Sequence, residues 1–453
     1  MRHILPDRRV IDETRDFVDV APATYPRRVN ASSPFLHDAA GIPALSDIEF
    51  WKQPLSIRED AFAQLRALPT LPFLAEPDIG SASIPVGPGY YPITRHADIL
   101  EISRQPELFC SGKGATSIAD LPEFMNDFFG SMINMDDPRH ARLRKIVAAA
   151  FTPKQLKRVE DDVQKAATAI VDDVLAGKGT GDFVLDVAAK LPLKVICDMM
   201  GIPSSEYDTI FTRSNIILGA GDAEYVTETD ADQVIVKLLT AGNDLHTLVS
   251  ELGAQRRLQP TDDLTSALVN AEVDGERISD QELGSFFILL VVAGNETTRN
   301  AIAHGLDLLT RHPDQMSLWQ SDIEAHTPHA VEEIVRYSSP VMWMRRTTTQ
   351  DTTVGGVALP ADSKLIMYYW SADRDERVFA DPLRFDITRS PNPHVGFGGP
   401  GPHFCLGAHL ARREVGVMWK ELLTRVPALR ATGDPDRLTS SFINGIKHLS
   451  YAY

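Results

Sequence analysis

The sequence predicts a mainly α, helix-dominated α+β domain, and three observations carry that prediction. A helical apolar pattern dominates residues from about 137 to 338. Short strand-like pieces with turn residues flank it at 83–110 and 341–388. A last helical segment follows Cys405. This order of a little β, much α, a little β and a final helix does not fit a doubly wound sheet, in which strands and helices alternate.

Residues 1–45 are rich in Pro, Asp and Arg without a clear period, and are expected to form an N-terminal arm. No internal repeat or long linker follows, so residues 46–453 are expected to form a single domain. Gly87-Pro88-Gly89 ahead of Tyr90-Tyr91 marks a turn before a strand. Thr352-Thr353-Val354-Gly355-Gly356-Val357 reads as short strands, and Asn444-Gly445 as a hairpin turn. Thr327 is expected to cap a helix that has Pro328 as its first residue and stops at Pro340.

Composition narrows the function classes. The 453 residues suffice to enclose a cofactor chamber without disulfides. A net charge of −17 argues against nucleic-acid binding, which needs a basic stripe, and against attraction to anionic lipid. Cys110, Cys197 and Cys405 are odd in number and far apart, which suits a reducing cytosol rather than a disulfide framework. The N-terminus lacks the apolar core of a signal peptide. The longest apolar run, Phe286–Ala293, is far too short to span a membrane. A soluble, cytoplasmic protein is expected.

Ser279-Asp280-Gln281-Glu282 fits a capping box, and the helix it opens should run to Arg311, ahead of Pro313. That is about 32 residues, or about 48 Å at 1.5 Å per residue, enough to cross the domain. Phe286–Ala293 is apolar on every side and should be buried. Ala293-Gly294-Asn295-Glu296-Thr297-Thr298 then interrupts it. Mid-helix Gly costs about 1 kcal/mol against Ala, and a carboxylate beside an apolar core needs a partner or solvent. Either the helix shows a polar side to water here, or a ligand sits in a groove over Ala293 and Gly294. In the second case Thr297, four residues on and on the same face, could hold a water or oxygen species, and Glu296 could relay protons to it.

The segment Gly396-Phe397-Gly398-Gly399-Pro400-Gly401-Pro402-His403-Phe404-Cys405-Leu406-Gly407 is the most informative. Its glycines permit positive φ and close backbone approach to a flat ligand. A helix read from Leu406 places its N-terminal N–H groups where they favour a thiolate at Cys405. Such a thiolate suits axial ligation of a haem iron. An inert core thiol, or a zinc site with His403 and His409, stays possible, although zinc sites usually carry paired ligands such as C-x₂-C. Cys197 reads as ordinary core.

These residues resemble the cytochrome P-450 family, over nearly the whole chain after the arm. The cysteine loop is joined, in the family's order, by Ala293–Thr298 as the oxygen-activation motif, Glu333-Ile334-Val335-Arg336 as E-x-x-R, and Pro382-Leu383-Arg384-Phe385 as the source of a second arginine. The resemblance implies haem b between the long central helix and the cysteine-loop helix, iron on Cys405, and O₂ as co-substrate. It implies a structural Glu333/Arg336/Arg384 network bracing the loop. It also implies haem contacts from His140, Arg144, Ala293, Arg346 (with Arg345 the alternative), Phe397 and His403, and catalytic roles for Glu296 and Thr297. Phe397 lies one residue further from Cys405 than is common in the family.

Within the family the chain is most similar to a bacterial branch that hydroxylates the terminal carbon of methyl-branched lipids and sterol side chains. An n-alkane or fatty-acid hydroxylase of a related branch is the near alternative. Leu121, Phe124, Met125, Phe128, Phe129 and Met132, with Met342 and Trp343, are candidates for an apolar pocket wall or plain core. The chain ends at Tyr453 without a reductase segment, so a ferredoxin and its reductase are the expected electron donors, docked with help from Arg412 and Arg413. A peroxide-driven enzyme would not need Glu296-Thr297, and a non-enzymatic haem sensor would not need a proton relay.

Overall fold

The computed structural model describes residues 45–150, 153–272 and 275–453. The arm expected over 1–45 therefore lies almost wholly outside the described residues, and those described fall in one compact unit.

The central helix runs Asp280–Arg311. Its capping box is formed as expected: the Glu282 N–H donates to Ser279 Oγ (3.2 Å) and the Ser279 N–H donates to Glu282 Oε2 (2.9 Å). Its N-terminal half buries Leu283, Phe286, Phe287, Ile288 and Val291 against Leu143, Ile146 and Val147 of helix Arg139–Ala150 and Ile196, Cys197 and Met200 of helix Lys190–Met200. Its C-terminal half buries Ala301, Ile302, Leu306 and Leu309 against helices Pro153–Ala176, Ile323–Ser338 and Ala408–Arg425. Each fully buried Leu, Ile or Phe contributes about 1.5–3 kcal/mol, so both ends of the helix are firmly anchored. Gly305 lets Trp419 pack against this half, since a Cβ there would lie 2.6 Å from the Trp419 ring nitrogen. The polar segment Asn295–Asn300 sits between the two cores.

The main sheet has four short strands in the order Tyr91–Ile93, Lys364–Tyr368, Trp343–Thr348, Phe109–Cys110. Arg345 pairs with Ile366 and Arg346 with Leu365, so the two arginines point to opposite faces. Thr352–Val354 and Val357–Leu359 form a hairpin turned by Gly355 and Gly356, both at positive φ.

Several local expectations are corrected. Helix Ile323–Ser338 starts one turn earlier than read, because Asp322 caps it by accepting the Ala325 N–H (3.0 Å); Thr327 and Pro328 lie inside it. Asn444-Gly445 is not a tight turn. Strands Asp436–Arg437 and Ile446–His448 do pair, but across a longer connection whose Asn444 is held by Ser338 and His304. Met342 and Trp343 are packed core with Phe50, Trp51, Phe62 and Tyr368, not pocket wall.

Candidate active site: a cysteine loop facing a polar helix break

The cysteine loop closes on itself despite its extra residue. The Cys405 N–H donates to the Phe397 carbonyl (3.0 Å) and the Gly398 N–H to the Val395 carbonyl (2.8 Å). Two of its glycines serve packing rather than approach to a ligand: a Cβ at Gly399 or Gly401 would lie 2.4 or 2.2 Å from atoms of Ser103. The Phe397 ring lies under the Arg412 guanidinium, 4.3 Å from its centroid.

Cys405 presents open surface, yet burial is the largest influence on its thiol and pushes its pKa up. Both hold for a side chain facing a space walled by protein. The Gly407 N–H and the charges of Arg144 and Arg412 pull the other way without prevailing. The following helix starts at Ala408, not Leu406, which weakens the dipole expected to favour a thiolate. A cation at Sγ would favour the thiolate over the thiol.

The brace beneath the loop is present, with one member exchanged. Glu333 and Arg336 form a fully buried bidentate pair (2.7 and 2.8 Å). The second arginine is Arg389, which donates through Nε to both Glu333 oxygens (3.2 and 3.1 Å). Arg384 is exposed and contributes only its carbonyl, accepting from Arg336 and Arg389. Asn392 and the Asp386 N–H complete the shell around Glu333. Buried Asp373 ties this brace to the loop, accepting the Val395 N–H (2.7 Å) and the Ser339 hydroxyl (3.1 Å). Arg412, which stays partly exposed, pairs with Glu332 (2.5 and 2.9 Å).

His140, Arg144, Arg346 and His403 gather beside the loop. The rings of His140 and His403 are 4.3 Å apart, and buried His140 Nε2 has no hydrogen-bond partner among the described residues. Burial, followed by the charges of Arg346, His140 and Arg144, takes His403 down to about 2. Arg346 is buried, and its one hydrogen bond goes to the Arg345 carbonyl (2.8 Å), with no ion pair among the described residues. Arg345 points the other way, to Asp120 (2.8 Å) and the carbonyls of Ser117, Ile118 and Ala119. Buried donors lacking acceptors are costly. This set suits the carboxylates of a haem, and Arg346 rather than Arg345 is the member that belongs to it.

On the central helix, Ala293 is exposed between half-buried Val292 and Gly294, and Leu290 and Thr297 on the same face are half-buried. The helix thus presents a stripe to internal space. Thr297 Oγ1 donates to the Ala293 carbonyl (2.6 Å). Gly294 does not belong to that stripe; a Cβ there would meet Ile196 at 2.8 Å. Glu296 is buried, with Oε1 held by Arg299 and by Asn300 (3.0 Å), while Oε2 has no partner among the described residues. Arg299 is in turn anchored on Asn215 (2.9 Å) and Asn300 on the Ile446 N–H (3.0 Å). Of the apolar wall candidates, Met125 and Met132 are buried, Leu121, Phe128 and Phe129 half-buried, and Phe124 exposed.

Arg389, Asp373 and Asn300 were not singled out as site residues from sequence. Asp386-x-x-Arg389 offered a second arginine as plausible as Arg384, but nothing local ranks the two.

A thiol facing enclosed space, four carboxylate-seeking donors and an opened helix stripe define a haem-thiolate monooxygenase. A family model described as Cytochrome P450 matches residues 245–438. The methyl-branched lipid omega-hydroxylase of Mycobacterium tuberculosis (strain CDC 1551 / Oshkosh) is 47% identical over 424 residues, covering 93% of this chain and 97% of that one. The steroid C26-monooxygenase of Mycolicibacterium smegmatis is 38% identical over 373 residues, covering 81% and 84%. A solved Mycobacterium marinum cytochrome P450 in complex with pseudoionone superposes with a TM-score of 0.86 at 40% identity, covering 94% of this chain and 100% of that one. The chain belongs to the cytochrome P450 family, whose cofactor is a haem iron with a thiolate ligand and whose oxidant is O₂. No helix among the described residues is long and apolar enough to cross a membrane.

Proposed function

We propose that this enzyme hydroxylates the terminal carbon of a methyl-branched lipid, fatty acid or sterol side chain, with Cys405 as the iron ligand. The observation that carries the reading is the exposed Ala293, with half-buried Leu290 and Thr297 on the same face, between the two buried ends of the central helix. The relatives that act on methyl-branched lipids and steroids support the substrate class.

When bound, the haem activates O₂ so that one oxygen atom enters a C–H bond and the other leaves as water, using two electrons and two protons. The chain's own residues do the rest. Arg144, Arg346, His140 and His403 would hold the haem carboxylates, and Phe397 and Ala293 would pack against the bound group. Thr297, with its proton committed to the Ala293 carbonyl, keeps oxygen lone pairs free to orient a water. Glu296 holds one oxygen fixed and leaves Oε2 free to carry a proton toward Thr297.

Electrons arrive singly from a ferredoxin and its reductase in the cytoplasm. A peroxide-driven reaction would need no proton delivery, and the Glu296–Thr297 pair favours O₂ with external electrons. Titration of the ferric protein with branched fatty acids, sterols and n-alkanes tests the substrate. Branched lipids should give the spin-state shift and a terminal alcohol with a reduced ferredoxin. A response to n-alkanes alone, or turnover with peroxide alone, would overturn the reading.

A further inference from the structure

Three arginines that take no part in holding the haem converge on one buried place. Arg58 comes from helix Leu55–Ala67, Arg374 follows the short helix Tyr369–Ala372, and Arg437 ends strand Asp436–Arg437. Arg58 and Arg374 are 6% and 2% exposed, so little water reaches them. Each of the three has a buried guanidinium nitrogen without an acceptor among the described residues: Arg58 Nε, Arg374 Nε and Arg437 Nη1; the other nitrogens of Arg374 donate to the Trp370 (3.2 Å) and Tyr337 (2.7 Å) carbonyls.

Two carboxylates lie nearby, and neither hydrogen-bonds Arg58. Glu59 lies 3.6 Å from Arg374, and Asp307 serves Arg311 (2.6 Å) and Arg437 (3.4 Å). Arg58 is left with no hydrogen bond or ion pair among the described residues. Burial, then the charges of Arg437 and Arg374, lower its pKa only to about 10, so it stays charged at neutral pH. His304, which faces the same three arginines, is taken down to about 3 by burial and by the Arg437 charge, and supplies no negative charge. A buried, permanently charged and unpaired guanidinium is costly unless an anion joins it.

We propose that Arg58, Arg374 and Arg437 form a binding site for a small inorganic oxyanion of the phosphate or sulfate class, separate from the haem site. A tetrahedral oxyanion offers several acceptors at once, which matches nitrogens presented from three elements. The deep position suits a free ion rather than a phosphate carried on a large molecule.

Calorimetric titration of the holoenzyme with inorganic phosphate, against chloride at matched ionic strength, tests this. Phosphate should bind once per chain and raise the melting temperature, and chloride should do neither. In Arg58→Gln phosphate affinity should fall about tenfold or more, while the phosphate-free protein melts no lower than wild type because an unpaired buried charge has gone. Arg437→Gln should weaken phosphate similarly, giving a second readout should the first variant fold poorly. Phosphate behaving like chloride, or binding equally well to Arg58→Gln, would overturn the proposal.

Discussion

Arg389, not Arg384, is the arginine that completes the Glu333 carboxylate, with its Nε 3.1 and 3.2 Å from the two oxygens. The two candidates make opposite predictions. Breaking a buried ion pair by removing one partner costs about 3–5 kcal/mol, whereas an exposed side chain costs about 0.5 kcal/mol or less. Arg389→Ala and Glu333→Gln should lose haem retention and unfold at clearly lower denaturant. Arg384→Ala should unfold like wild type, since its carbonyl does the bonding.

Thr297→Ala should separate electron use from product. Its hydroxyl is held by the Ala293 carbonyl at 2.6 Å, so a methyl group leaves nothing to orient water there. Product formed per NAD(P)H should fall about tenfold while O₂ consumption persists, a loss at the lower end of what positioned proton transfer contributes. Unchanged coupling would remove Thr297 from the proton path.

Arg346→Leu and His403→Leu should release haem faster. A hydrogen bond to a charged group is worth about 1.5–3 kcal/mol, or roughly tenfold to a hundredfold in affinity. Transfer of haem to apomyoglobin measures this. Arg345→Leu should retain haem and instead loosen the 117–120 loop that its guanidinium holds.

Glu414 provides a pH test. It is buried, its Oε2 has no partner among the described residues, and burial raises it from 4.5 to about 8. Between those values the folded chain binds a proton that the unfolded chain has released. Stability should therefore fall as pH rises from about 4.5 to 8 and level off above. The full effect is on the order of 3–5 kcal/mol. Glu414→Gln should match wild type near pH 4.5 and exceed it at pH 8, as denaturant titrations across that range would show. Parallel curves would mean the carboxyl is not charged at the cost inferred.

Local signals read true in the sequence, and tertiary ones did not. The Ser279–Glu282 capping box fixes the start of the central helix because both partners lie within one turn. Glu333 and Arg336, by contrast, project from a helix face whose pattern looks solvated, and only packing of the 380–392 segment buries them. Arg345 and Arg346 alternate across a strand, so the pattern shows that they diverge but not which one turns toward the haem. The loop glycines illustrate a different failure. Their need for space was legible, but the neighbour that occupies it, Ser103, is about 300 residues away in the chain.

The most direct test is whether Cys405 holds the iron. The low-spin ferric electron paramagnetic resonance and ferrous–CO difference spectra of wild type should report a thiolate ligand. The same spectra of Cys110→Ser and Cys197→Ser should be unchanged, since both side chains are buried core. Cys405→Ser should lose the thiolate signature while the fold persists. A Cys405→Ser protein that kept that signature would contradict the assignment of the site.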